Sequence, residues 1–110
     1  MLDPQPPLWT ANALAEITGG EWITGSPGDP AILGIELFPR LVERGDLFVV
    51  TSPENWGRKF ANTFRSLPIV KANAASAAMT DTLPGKLPPH LPTLQVENTR
   101  EALTKLAQDA

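Results

Sequence analysis

Apolar and polar positions along this chain switch between a helical and an alternating period, and the switches predict its elements. Leu14 and Ile17, with Ala13, recur at helical spacing after Thr10, and Gly19-Gly20 follows them. This predicts a short helix capped by Thr10, running through Ile17 and stopped by the glycine pair. Trp9 stands just before the cap, where an apolar side chain can staple the incoming chain to the helix. Glu21 to Thr24 then predicts a short strand with Trp22 in the core, and Gly25-Ser26-Pro27-Gly28-Asp29-Pro30 is turn chemistry. A second strand is expected from Ile32 to Leu37, with Ile35 and Leu37 on one face. After the Gly45-Asp46 turn, Leu47-Phe48-Val49-Val50 is a continuous apolar run. Such a run suits a central strand covered on both faces.

The second half reads less evenly. Trp56 to Ser66 predicts a helix with Phe60 and Phe64 at the i, i+4 spacing. Pro68 interrupts it, and Ile69 to Asn73 reads as a further turn. Ala74 to Met79 fits either a helix or a buried strand, and periodicity does not choose between them. Leu83 to Pro92 is a proline-rich loop, and Thr93 to Glu97 is a strand with Leu94 and Val96 on one side. A last helix starts at Asn98, with Glu101 three residues on in a capping-box arrangement. Ala102, Leu103, Leu106 and Ala107 form its apolar stripe, and Glu101 with Lys105 makes an i, i+4 ion pair. Strands alternating with helices indicate an α/β domain.

Composition narrows this further. The 110 residues include 12 prolines, about double the ordinary share of ~5%. Three of them fall in residues 1–7, an extended lead-in, and four in the loop 83–92, so they punctuate a folded domain. The length suits one domain covering residues 1–110. Nine Lys and Arg against twelve Asp and Glu give a formal charge of −3. That excludes a basic nucleic-acid footprint and a disordered polyelectrolyte. Without cysteine there is no disulfide framework, thiol nucleophile or cysteine zinc site. The single histidine, His90, excludes a metal site built on two imidazoles and reads as an exposed loop residue. No segment approaches the ~20 apolar residues of a membrane span, and the N-terminus lacks signal-peptide features, so a cytoplasmic location is expected.

Candidate chemistry is sparse. Gly85-Lys86 is followed by Leu87-Pro88 and does not form a phosphate-binding loop, and no Gly-x-Gly-x-x-Gly follows a strand. Asp29, Glu36, Glu43, Asp46 and Glu54 are scattered singly. Arg58 and Lys59, with Arg65, read as a solvated basic face of the expected helix. Trp56 lies in Pro53-Glu54-Asn55-Trp56-Gly57, a loop feeding that helix. Free amides at such a start can hold an anion, although packing is the plainer role for the ring. No nucleophile, carboxylate pair or metal cluster can be named, so the chain by itself is not expected to be an enzyme.

Several segments together resemble the N-terminal domain of the Mur ligases. Leu8-Trp9-Thr10 and Leu14-Ala15-Glu16-Ile17-Thr18-Gly19-Gly20 look like that domain's opening helix. Ile32-Leu33-Gly34-Ile35, Gly45-Asp46-Leu47-Phe48-Val49, Gly57, Phe60 and Ala74 to Met79 continue the likeness. Leu91 to Leu103 resembles the family's strand, Asp/Asn-Thr, Ala-Leu ending. The similarity is greatest to the type joining D-alanyl-D-alanine to UDP-N-acetylmuramoyl-tripeptide. It makes the alanine run a strand and gives the expected fold class: α/β, with a mixed sheet of about five strands and helices packed on it.

The resemblance also implies a role. The family's enzymes are three-domain, ATP-dependent amide ligases of peptidoglycan synthesis, whose N-terminal domain holds the uridine diphosphate end of a UDP-N-acetylmuramoyl peptide. ATP and magnesium would belong only to a downstream domain in cis, and this chain, reaching Ala110, would hold none of the catalytic machinery. Arg40 and Gly57 are the expected substrate-binding residues, with amides near Gly57 assisting at a helix start. Two places depart from the family. Phe38-Pro39-Arg40 stands where an Asp-Ser-Arg triplet is usual, and Trp56-Gly57-Arg58 where Asp-Gly-His is usual. Each lost polar partner weakens binding by roughly 1–3 kcal/mol. The alternative expectation is therefore a degenerate domain without nucleotide binding, acting as an interaction or regulatory module through Phe38 and Trp56. A Gly-x-x-Gly-Lys-Thr/Ser motif encoded after codon 110 is expected for a ligase, and a stop codon there for the module.

Overall fold

A computed structural model describes residues 9–24, 32–63, 66–73, 75–81 and 91–109. The expected lead-in 1–7, the turn 25–30, Phe64, Arg65, His90 and most of the loop 83–92 lie outside them. Helix α1 spans Ala11–Thr18. Thr10 caps it, its hydroxyl accepting the Ala13 amide at 3.1 Å, and Gly19 ends it in the left-handed region at φ 72°. Trp9 and Leu14, at the two staple positions, share one buried cluster.

Five strands make one mixed sheet in the order β1-β5-β4-β3-β2. They are β1 (Glu21–Thr24), β2 (Gly34–Glu36), β3 (Asp46–Val49), β4 (Ala77–Thr80) and β5 (Thr93–Gln95). β2 to β5 run parallel, and β1 closes the far edge antiparallel to β5. Of the alanine run, Ala77 to Met79 lie in β4, whose residues are all buried, and Ala74 lies outside the described residues. β2 is shorter than expected; Ile32 lies outside it and pairs with Trp9 in an isolated bridge.

Alternation along β3 divides the core. Leu47 and Val49 point to one face, where Leu14, Met79, Leu94, Val96, Ala102 and Leu106 are buried with them. Phe48 and Val50 point to the other, against Val42, Leu67, Val70, Ala78 and Leu91. Helix α1 packs beside α4 (Thr99–Asp109) on the first face. Helix α3 (Leu67–Ala72) and a 3-10 helix (Pro39–Leu41) cover the second. Asn98 caps α4, its Oδ1 accepting the Glu101 amide at 3.0 Å. Ala102 and Leu106 are buried and Leu103 packs beside them, but Ala107 is exposed, so the stripe is one residue narrower than expected.

The helix expected over Trp56 to Ser66 does not form in residues 57–63: a short α2 covers Pro53–Trp56 and ends where that helix is expected to begin. Gly57 leaves the helical region at φ 108°, and the chain turns back through 58–63. Long-range bonds hold this return. The Thr63 amide donates to the Thr51 carbonyl at 3.0 Å, and the Thr51 amide donates to the Thr63 hydroxyl at 2.8 Å. Pro68 does not interrupt a helix; it lies in the first turn of α3, where a missing N–H leaves nothing unpaired.

Gly20 is a packing constraint between α1 and the sheet. A Cβ there would stand 2.7 Å from the Gln95 carbonyl oxygen and 2.8 Å from Val96 Cγ1. Gly20→Ala is expected to cost about 1–3 kcal/mol, seen as a lower urea midpoint with unchanged slope. Phe48→Ala, which empties a fully buried site, should cost about 3–5 kcal/mol in the same measurement.

Candidate functional site

The parallel strands end together, and the chain leaving β2 and β3 builds a cavity of about 670 Å³ at their carboxyl edge. That volume lies within the roughly 300–1,000 Å³ typical of small-molecule sites. Leu37 to Arg40 follow β2, Thr51 follows β3, residues 59–63 form the return loop, and Ser66 and Ile69 lie at α3. Carboxyl edges of open α/β sheets are where such folds place ligands, because connecting loops diverge there.

The first wall is fixed by Glu36. Its carboxylate accepts the amides of Leu37 at 2.9 Å and Phe38 at 3.1 Å, turning the chain out of β2 into the 3-10 helix. Asn73 Nδ2 donates to the Pro39 carbonyl at 3.3 Å and ties that helix to the end of α3. Arg40 therefore sits exposed on the cavity wall. The opposite wall is the return loop with Lys59 and Phe60, anchored by Thr51 and Thr63 beneath it. The Thr51 hydroxyl donates to the Ala61 carbonyl at 2.9 Å.

Gly57 occupies a different place. It lies outside the cavity lining and closes α2, and its amide donates to the Pro53 carbonyl at 3.0 Å. The expected free amides at a helix start are therefore absent at Gly57, because that helix ends there. Trp56 is half-buried, its ring 5.4 Å from Phe60 and tilted by 51°. Its Nε1 donates to the Thr99 hydroxyl at 2.8 Å. Phe38 is 57% exposed. Of the two aromatics considered for an interaction surface, only Phe38 offers its ring to solvent.

Thr99 is the hub beside the site. Its hydroxyl donates to the Val50 carbonyl at 2.8 Å and its amide to Asp81 Oδ2 at 3.1 Å. Asp81 Oδ2 also accepts Asn55 Nδ2 at 2.6 Å. The carboxylate thus lies at the start of α4, where negative charge complements the helix dipole. The Asn98-Thr99 pair marked by the family likeness is structural here.

Lys59, Thr51, Thr63 and Ile69 were not singled out as site residues from sequence. Lys59 carried a signal as part of a basic pair, but the expected helix put it on a solvated face. Thr51 and Thr63 meet only through tertiary pairing across twelve positions. Among the described residues no group of three or more His, Cys, Asp or Glu is arranged to hold a metal ion.

The chain matches no protein-family profile and none of the curated proteins. Solved structures do match. One crystal structure of MurF from Acinetobacter baumannii aligns over 89% of this chain with 27% identity and a TM-score of 0.69. The UDP-N-acetylmuramoylalanyl-D-glutamyl-2,6-diaminopimelate–D-alanyl-D-alanyl ligase of the same organism aligns over 96%, with 27% identity and a TM-score of 0.68. A further MurF crystal structure from that organism covers 88% at 26% identity and a TM-score of 0.66. The chain shares its fold with these Mur ligases. It spans about a fifth of the length of those ligases, 20–22%. Phe38, Pro39, Trp56 and Arg58 are the residues at which the sequence resemblance breaks, and Phe38 lines the cavity. Pro39 lines the cavity, and Trp56 and Arg58 flank the glycine that opens the return loop.

The Thr99 network predicts its own sensitivity. Thr99→Val removes the partner of Trp56 Nε1 and of the Val50 carbonyl, and should destabilise by about 2–4 kcal/mol in urea unfolding. Thr99→Ser keeps the hydroxyl and should recover most of that loss.

Proposed function

We propose that this domain binds the uridine diphosphate end of a UDP-N-acetylmuramoyl peptide, serving an ATP-dependent ligase of peptidoglycan precursors, and is not catalytic by itself. The observation that carries this reading is the cavity at the carboxyl edge of β2 and β3, with Arg40 on its wall, in a fold shared with MurF. A guanidinium presents a planar fork of donors suited to phosphate oxygens. The apolar part of the wall suits a flat ring. The phosphoryl-transfer chemistry, with ATP and magnesium, would belong to a further domain in cis. A cytoplasmic location goes with this reading, and no described helix is long and apolar enough to cross a membrane.

One observation favours a second reading. Phe38, Leu41 and Ile69, on the 3-10 helix and α3, are 57%, 61% and 47% exposed. Exposed apolar side chains of this kind suit a protein contact, so a degenerate domain could act as an interaction or regulatory module. The half-buried Trp56, committed to Thr99, takes no part in that reading.

Isothermal titration with UDP and UDP-N-acetylmuramic acid decides between them. Binding at millimolar concentration or tighter is expected, and Arg40→Ala should raise Kd about tenfold or more, the loss of one charge-assisted contact of roughly 1.5–3 kcal/mol. An absence of heat at millimolar ligand would remove the nucleotide reading and leave the module.

A further inference from the structure

Two aromatic rings line the cavity, and they are held differently. Phe38 is 57% exposed and, among the described residues, has no ring contact. Phe60 is half-buried, and its ring lies 5.4 Å from that of Trp56 at an angle of 51°. Tilted ring pairs at this separation attract beyond the area they bury. Trp56 itself lies outside the cavity lining. It packs against the buried cluster on the first face of the sheet, and its Nε1 donates to the buried Thr99 hydroxyl at 2.8 Å. Thr99 begins α4. The indole is thus fixed by the core and by a helix, and Phe60 rests on it.

The backbone around Phe60 is fixed independently. The Phe60 amide donates to the Gly57 carbonyl at 3.0 Å, in the turn that follows α2. One residue on, the Ala61 carbonyl accepts the Thr51 hydroxyl at 2.9 Å, and the Thr63 amide donates to the Thr51 carbonyl at 3.0 Å. These bonds set the course of the return loop but leave the side-chain torsions of Phe60 open. The Trp56 ring restricts them. A flat ligand ring gains most from a partner whose orientation is set beforehand, because no rotamer freedom is then lost on binding.

Trp56 stands where the sequence resemblance breaks, so by sequence it counts as a lost polar partner. Its place in the fold gives it another role. Resting on the uridine-diphosphate reading above, we infer that Trp56 is a positioning residue of the cavity, holding Phe60 as the platform for the ligand's flat ring without touching the ligand itself. The ring-binding wall is then an aromatic pair standing on the Thr99 hub. Phe38, exposed and without a ring beside it, is not that platform.

NMR titration of the full chain with UDP, which reads Kd into the millimolar range, tests this. Phe60→Leu removes the platform and leaves the Thr99 hub intact, and it should weaken UDP about fivefold or more. Trp56→Leu should weaken UDP by a similar factor. In the Phe60→Leu background the same change should matter less than about twofold, because the brace then has nothing to hold. Trp56→Phe restores a ring without the indole N–H. Its thermal midpoint should fall with the lost Thr99 bond, while UDP binding returns to within about threefold of the wild type. Phe60→Leu without effect, equal losses from Trp56→Leu in both backgrounds, or UDP affinity that follows the thermal midpoint through the series would each overturn the inference while leaving the uridine-diphosphate reading standing. Failure of the wild-type chain to bind UDP would overturn both.

Discussion

The hydroxyl of Thr99 is the point on which the carboxyl edge of this sheet depends. It receives the Trp56 indole and donates to the Val50 carbonyl, while its own amide and the Asn55 side chain converge on Asp81. Four elements meet there: the ends of β3 and β4, the short α2, and the start of α4. Thr99 is fully buried, so each of these groups would lose solvent without gaining another partner if the hydroxyl were gone. Because α2 is pinned this way, Gly57 releases the chain at a fixed place. The return loop then has one course back to Thr51.

That course is what makes a cavity rather than a surface. Helices α1 and α4 fill one face of the sheet, and α3 with the 3-10 helix fills the other. The faces supply stability through burial. The carboxyl edge is left for segments that must satisfy their backbone groups with one another, as Thr51 does with Thr63 and Glu36 with Leu37 and Phe38. Side chains not needed for that bookkeeping, chiefly Arg40, Lys59, Phe38 and Phe60, are left to line the cavity. The departures from the resemblance at Phe38, Pro39, Trp56 and Arg58 fall on these edge segments. The buried residues that carry the family likeness, such as Leu47 to Val49 and Thr99, lie in the faces and the hub.

Much of the fold was legible because its signals are local. Thr10 and Gly19 bracket α1 by capping chemistry, Asn98 opens α4, and the unbroken run at Leu47 declares a strand covered on both sides. The candidate cavity is legible in part: Arg40 lines it, whereas Gly57, expected at a helix start, sits at a helix end. The misplaced helix over 56–66 explains both that error and the overlooked Lys59. Phe60 stands four residues from Trp56 and does meet its ring, yet across a turn instead of along a helix. Spacing alone does not separate those two geometries.

The sequence by itself determined the alternation of strands and helices, the caps, the covered central strand and the absence of thiol or paired-imidazole chemistry, since each follows from residue type and near neighbours. Only the tertiary structure decided where the chain between Gly57 and Thr63 goes. Its course is set by hydrogen bonds from Thr51 to residues ten and twelve positions away, and such pairings win over local helical preference because they satisfy buried backbone groups that have no other partner. The same tertiary pairing brought Lys59 and Arg40, nineteen positions apart in sequence, to one cavity, and so turned scattered charges into a candidate site.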